Sequence, residues 1–288
     1  MMEQTIQFKP KKSLILNDYF YWMKKRIFYF ISRHRKSILL RKIIAFCRSI
    51  IKAFENWNND HETNGEFEVL KRLSVFDLKI LFDVGANTGV WVKAAEHYNP
   101  NSKIHAFEPI PDLFGRLHEN SKKSSSLFLQ QVGLGSENTE VDFYYYPNGP
   151  LFNSMFNNNI EGKKEVRRCQ IRRGDDYCLE NGIKQIDLIK IDVEGAEHLV
   201  INGFSDMIMD SRIKVIQFEY GRNNIFSKFL LKDYYSFFEQ AGYKLGKIYP
   251  NYVDFTPYET NMENFIESNF LAVHENQLLW IEALSHYS

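Results

Sequence analysis

The chain has 288 residues, of which 44% are apolar and 25% charged, with 24 Phe and 16 Tyr. This excludes a disordered or fibrous chain and suffices for one large domain with an extension. The net charge of zero conceals an asymmetry: residues 1–52 hold 13 Lys/Arg against 2 acids (Glu3 and Asp18), a charge of +11 that the remainder balances.

The basic segment reads as helical. Leu39, Leu40, Ile43, Ile44, Cys47, Ile50, Ile51 and Phe54 recur at helical spacing, with Arg41, Arg48 and Lys52 off the stripe. Composition changes near Trp57–His61, so the expected division is a basic amphipathic extension over 1–60 and an α/β domain over 61–288.

In the second region strands alternate with helices. Ile80–Val84 is a buried strand, followed by the loop Gly85–Gly89 and a helix from Val90 to Tyr98. Lys103–Phe107 is the second strand, and Pro111 opens the next helix. Leu127–Val132 is the third strand, with Val141–Tyr146 and Glu165–Ile171 as an inserted or edge element. Ile186–Asp192 is the fourth core strand, followed by a helix ending at Gly203. Ile213–Tyr220 is the fifth, a long helix is expected over Phe226–Gln240, and Tyr243–Lys247 and Asn269–His274 supply the last two strands. Such alternation gives a mostly parallel seven-stranded sheet with helices on both faces. Ligands then bind at the carboxyl ends of the strands.

Candidate site residues cluster at those ends. Asp83-Val84-Gly85-Ala86-Asn87-Thr88-Gly89 runs from a strand carboxylate through a glycine turn to a helix N-terminus. The glycines let backbone approach a ligand, and the helix start attracts an anionic group. Gly85 and Gly89 are separated by three residues without a glycine at 87, which argues against the dinucleotide fingerprint, and no Gly-Lys-Ser/Thr follows for a phosphate loop. Glu108 ends the second strand, where an acid can accept hydrogen bonds from ribose hydroxyls. Ile189-Lys190-Ile191-Asp192-Val193-Glu194-Gly195-Ala196-Glu197 gathers acids at the fourth strand end. Glu194 and Glu197 can equally cap the following helix.

These runs, with Ala106-Phe107-Glu108-Pro109, resemble the FkbM family of methyltransferases over roughly residues 62–275. Weaker matches are Val132-Gly133-Leu134-Gly135, Gln217-Phe218-Glu219-Tyr220 and Asn269–Val273. The resemblance implies a Rossmann-like class I fold that binds S-adenosylmethionine (SAM) and O-methylates a hydroxyl of a sugar, glycan or secondary metabolite. The donor residues are then Asp83, Gly85, Asn87, Gly89, Glu108, Val132 and Asp192. One departure is Arg173-Gly174-Asp175-Asp176, where the family usually has an apolar residue at the position of Gly174.

A hydroxyl acceptor calls for proton removal. Candidates are Asp192, Glu194 and Glu219, with His198 poorer because it sits within the helix after Gly195. These acids are also hard oxygen ligands, but no metal is expected and no His/Cys cluster suggests zinc. Leu151-Phe152-Asn153-Ser154-Met155-Phe156 reads as a segment closing over donor or acceptor, or as a surface loop. Residues 19–55 fit either packing on the acidic body or an anionic membrane surface, and nucleic acid is disfavoured without a binding motif. No signal peptide or membrane span is seen, and the cysteines lack CxxC spacing, so a cytoplasmic protein, peripheral at the inner membrane face if the arm binds lipid, is expected. The alternative to an enzyme is a SAM-binding or membrane-associated scaffold without turnover.

Overall fold

The computed structural model describes residues 12–121, 124–147, 155 and 164–286. Contacts divide the chain into two compact units, with the break between Phe54 and Glu55. The first contains helices α1 (Lys12–Arg33) and α2 (Ile38–Phe54).

The second unit runs α3 (Glu66–Leu73), β1 (Ile80–Val84), α4 (Val90–Tyr98), β2 (Lys103–Phe107), α5 (Pro111–Asn120), β3 (Leu127–Gln130), β4 (Gly133–Gly135), β5 (Thr139–Tyr145) and β6 (Glu165–Arg173). It continues with α6 (Gly174–Glu180), β7 (Ile186–Ile191), α7 (Glu197–Gly203), α8 (Ser205–Met209), β8 (Ile213–Tyr220), α9 (Asn224–Ser227) and α10 (Leu231–Gln240). It closes with β9 (Tyr243–Tyr249), β10 (Tyr252–Asp254), β11 (Ser268–His274) and α11 (Leu278–Ser285).

The main sheet has eight strands in the order β10-β9-β11-β8-β7-β1-β2-β3. β8, β7, β1, β2 and β3 run parallel, while β11, β9 and β10 pair antiparallel. The seven expected strands are present in a Rossmann-like order, and the short β10 extends the edge as a hairpin on β9. Successive strand residues feed opposite faces. Phe82, Ile189 and Ile216 pack with Tyr177, Phe204 and Phe238 from α6, the turn after α7, and α10. Their neighbours Leu81, Leu188 and Val215 pack with Leu70, Trp91 and Trp280 from α3, α4 and α11. Two buried faces explain why the strands read as continuous apolar runs. Chain order reverses at β1, whose neighbours are β2 and β7, and this opens a crevice at their carboxyl ends.

Two expected elements differ. The Phe226–Gln240 helix is broken: Lys228 adopts φ 58°, and α10 restarts after Leu230, whose N–H donates to Asp233 Oδ2 at 2.9 Å. A local cap thus outcompetes continuous helix. The third strand stops at Gln130, and Gly133–Gly135 pairs instead with β6 in a three-stranded sheet, β4-β6-β5. Leu151–Phe156 lies outside the described residues except for Met155.

The departure at Gly174 has a packing reason. A Cβ there would lie 2.6 Å from the ring of Phe204, which is fully buried. The adjacent Asp175 accepts hydrogen bonds from the Asp206 and Met207 N–H groups (3.0 and 3.1 Å), clamping the start of α8 onto α6. Gly174→Ala should therefore cost about 1–3 kcal/mol from overpacking. Adding Phe204→Leu should recover part of that loss in urea denaturation; full stability of the single variant would refute the packing account.

Candidate active site

A cavity of about 940 Å³ opens at the carboxyl ends of β1, β2, β7 and β8. Its donor-side wall is the turn after β1. The Phe107 carbonyl accepts from both the Gly85 and Ala86 N–H groups (3.0 and 2.9 Å), turning the chain over the end of β2. A Cβ on Gly85, at φ +85°, would lie 1.9 Å from the Asp192 carbonyl oxygen, so the β1 and β7 turns approach as only glycine permits. Asn87 lines the cavity in the left-handed region (φ 48°). Gly89 is off the wall. It caps α4 at φ 86°, and a Cβ there would meet Leu117 of α5 at 2.8 Å.

Glu108 lies on the wall, buried. Its Oε2 accepts from the Asn87 N–H at 3.0 Å and its Oε1 from the Ile110 N–H at 2.9 Å. Burial raises its carboxyl to about 7 against these two hydrogen bonds. Asp83 is fully buried and does not line the cavity; among the described residues its oxygens accept no hydrogen bond, and burial raises it to about 6 despite Lys190, whose Nζ is 3.8 Å away. Lys190 lines the cavity floor and bonds Asp192 Oδ2 at 3.0 Å. Burial opposes its charge, but Asp192, Asp83 and Glu66 hold it protonated, above the ordinary lysine value. Val132 is buried off the wall, and the following Gly133, Leu134 and Gly135 line it instead.

Asp192, Glu194 and Glu219 share the opposite rim with Glu267. Glu194 adopts φ 56° and accepts from Asn223 Nδ2 at 2.8 Å. Burial first, then Asp192 and neighbouring glutamates, raise both Glu194 and Glu219 well above the usual carboxylate range. Glu197 is structural: its Oε1 accepts from the Val193 and Gly195 N–H groups, 3.1 Å each, fixing the turn that carries Glu194. His198 is off the cavity wall, stacked on Phe229.

The structure adds residues that the motifs do not contain. His61, Asn64 and Glu66, from the segment before β1, line the cavity; beside them stands Asn269 of β11, the first residue of the weaker Asn269–Val273 match. Glu66 is buried and accepts from Gln217 Nε2 at 2.9 Å. Nothing local distinguishes His61 or Glu66 in the sequence. The readable sign is Gln217, a fully buried polar residue of β8 in register with Lys190.

The wall fits SAM. Glu108 offers acceptor oxygens to ribose hydroxyls. The N-terminal end of α4 suits a carboxylate, and the buried indole Nε1 of Trp91 on its first turn has no hydrogen-bond partner among the described residues. The carboxylates of the rim suit cationic groups, and the volume leaves room for a second molecule. Only ionised Glu108 accepts from both hydroxyls, so protons compete with the donor as pH falls through about 7. SAM should bind roughly tenfold more weakly at pH 6 than at pH 8. Calorimetry at both values checks this; pH-independent affinity, or a dependence that survives Glu108→Gln, would detach Glu108 from the donor.

The profile of the Methyltransferase FkbM domain matches residues 83–245. The chain is 30% identical over 147 residues to 2-O-methyltransferase NoeI of Sinorhizobium fredii, covering 46% of this chain and 60% of that one. It is 24% identical over 177 residues to hexuronic acid methyltransferase AglP of Haloferax volcanii, covering 60% and 71%. To 31-O-demethyl-FK506 methyltransferase FkbM of Streptomyces tacrolimicus it is 28% identical over 156 residues, covering 44% and 60%. The chain thus spans 60% of the length of NoeI and of FkbM. With that domain running from the end of β1 into β9, the chain belongs to the FkbM methyltransferase family.

Proposed function

We propose that this chain is a SAM-dependent O-methyltransferase acting on a hydroxyl of a sugar, a glycan or a hydroxylated secondary metabolite, with residues 61–288 as its methyltransferase domain. The observation that carries this reading is that the glycine turn with Glu108 and the carboxylate rim share one cavity. The names of NoeI, AglP and FkbM, which describe methylation of a hydroxyl, a hexuronic acid and a natural product, support the same acceptor classes.

SAM supplies a methyl group on a positively charged sulfur. The chain's part is to hold donor and acceptor in line. Gly85 and Asn87 bring backbone to the donor, Glu108 holds its ribose, and Gly89 and Val132 support these contacts from behind the wall. Asp83 acts from beneath, through Lys190 and Asp192. Asp192, Glu194 and Glu219 face the acceptor. Ionised carboxylates accept from hydroxyls and protonated ones donate, so this rim suits a molecule with several hydroxyl groups.

The basic segment has a second reading. α2 sets Ile43, Ile44, Cys47, Ile50, Ile51 and Phe54 along one stripe with Arg41, Arg48 and Lys52 beside it, a pattern suited to an anionic membrane surface. Among the described residues no helix is long and apolar enough to cross a membrane. We assign residues 19–55 to such peripheral contact.

Calorimetry with SAM and with NAD tests the donor. Saturable SAM binding, no NAD binding and loss of SAM binding in a folded Gly85→Arg variant are expected; a folded wild type that ignores SAM would refute the reading. For the arm, co-sedimentation with phosphatidylserine vesicles should fall on raising salt and on deleting residues 1–56. Equal sedimentation of the shortened protein would refute membrane contact.

A further inference from the structure

The cavity wall contributed by the segment before β1 holds a histidine–carboxylate pair that none of the family runs contains. His61 Nδ1 lies 2.8 Å from Glu66 Oε1, and the ring stacks on Phe67. Glu66 is fixed from several elements: Oε1 also accepts from Asn64 Nδ2 (2.7 Å) and Asn269 Nδ2 (3.1 Å), and Oε2 from Gln217 Nε2 (2.9 Å). Burial alone would raise Glu66, but His61, Lys190 and Asn64 together bring it down to about 2.

An ionised carboxylate can only accept, so Nδ1 carries the hydrogen, and in the neutral ring Nε2 keeps its lone pair. Nε2 has no hydrogen-bond partner among the described residues. The side chain is 35% exposed and lines the same cavity as Lys190, Asp192 and Glu219. Two acids of the rim are engaged in contacts of their own: Asp192 pairs with Lys190 and Glu194 holds Asn223.

We propose that His61 is the general base that accepts the proton of the acceptor hydroxyl, with Glu66 as its positioning residue. This rests on the O-methyltransferase reading. The hydroxyl oxygen bonds to the methyl carbon while the carbon–sulfur bond breaks with its electron pair remaining on sulfur. The hydroxyl proton passes to Nε2, and buried Glu66 stabilises the imidazolium, as the acid of a hydrolase triad does. The charged groups facing His61 are Glu66 on α3, Lys190 on β7 and Asp192 at its end. The Glu66 hydrogen bond lifts His61 above its ordinary value; burial and Lys190 oppose this, and Asp192 adds to it. The base works unprotonated, so turnover rises with pH as His61 loses its proton.

The test is the pH profile of methyl transfer from SAM to a panel of methyl glycosides of hexoses and hexuronic acids. For the wild type, kcat should climb through one ionisation above the ordinary histidine value and level off. His61→Gln should lower kcat about 100-fold or more and abolish that limb while SAM binding by calorimetry is retained. Glu66→Gln should move the limb to lower pH. If His61→Gln keeps both turnover and the limb while Glu219→Gln loses the limb, the base is on the rim and His61 is not it. If the wild type methylates no glycoside of the panel, the sugar reading of the acceptor fails, and the assignment of His61 as base toward a sugar hydroxyl falls with it.

Discussion

The ammonium group of Lys190 sits among three carboxylates: Asp83 on the neighbouring strand, Asp192 at the end of its own, and Glu66 from the segment before β1. All except Asp192 are buried. Charges in such a place cost several kcal/mol each unless paired, so the cluster stands or falls as a unit. It ties three parts of the site together. Asp83 underlies the glycine turn, Asp192 is the point where that turn meets β7, and Glu66 holds His61. A lysine beside the carboxyl end of a buried central strand is the visible mark of this arrangement.

The proposed donor and acceptor meet two different chemistries in this one crevice. On the β1–β2 side the backbone dominates, with N–H groups, a helix start and one carboxylate, Glu108. On the β7–β8 side carboxylates dominate, with Glu194 and Glu219 driven toward protonation by burial, by Asp192 and by neighbouring glutamates. The first chemistry suits a donor of fixed structure. The second, able to accept or donate hydrogen bonds, suits hydroxyl groups.

Much of this was legible in the sequence because it is local. β1 with its glycine turn, β2 ending before Glu108, and β7 ending before Asp192 follow from apolar runs closed by an acid. Elements that depend on tertiary partners were not legible. The break at Lys228 follows from the Asp233 cap on Leu230, and the shortened third strand from the pull of β6 on Gly133–Gly135. Gly174 makes sense only once Phe204 stands against it. His61 and Glu66 lie more than 15 residues before Asp83, outside every motif, and reach the cavity only because α3 packs beside the sheet. Asp83 carried a strong motif signal, yet it lies beneath the wall rather than on it.

The most direct measurement is a crystal structure of the protein with S-adenosylhomocysteine, the product of methyl transfer. The expected result is ribose hydroxyls on the Glu108 carboxylate and the amino-acid carboxylate at the start of α4. The sulfur should face a space bounded by Asp192, Glu219 and His61. A ligand bound away from Glu108, or one whose sulfur points away from that space, would contradict it.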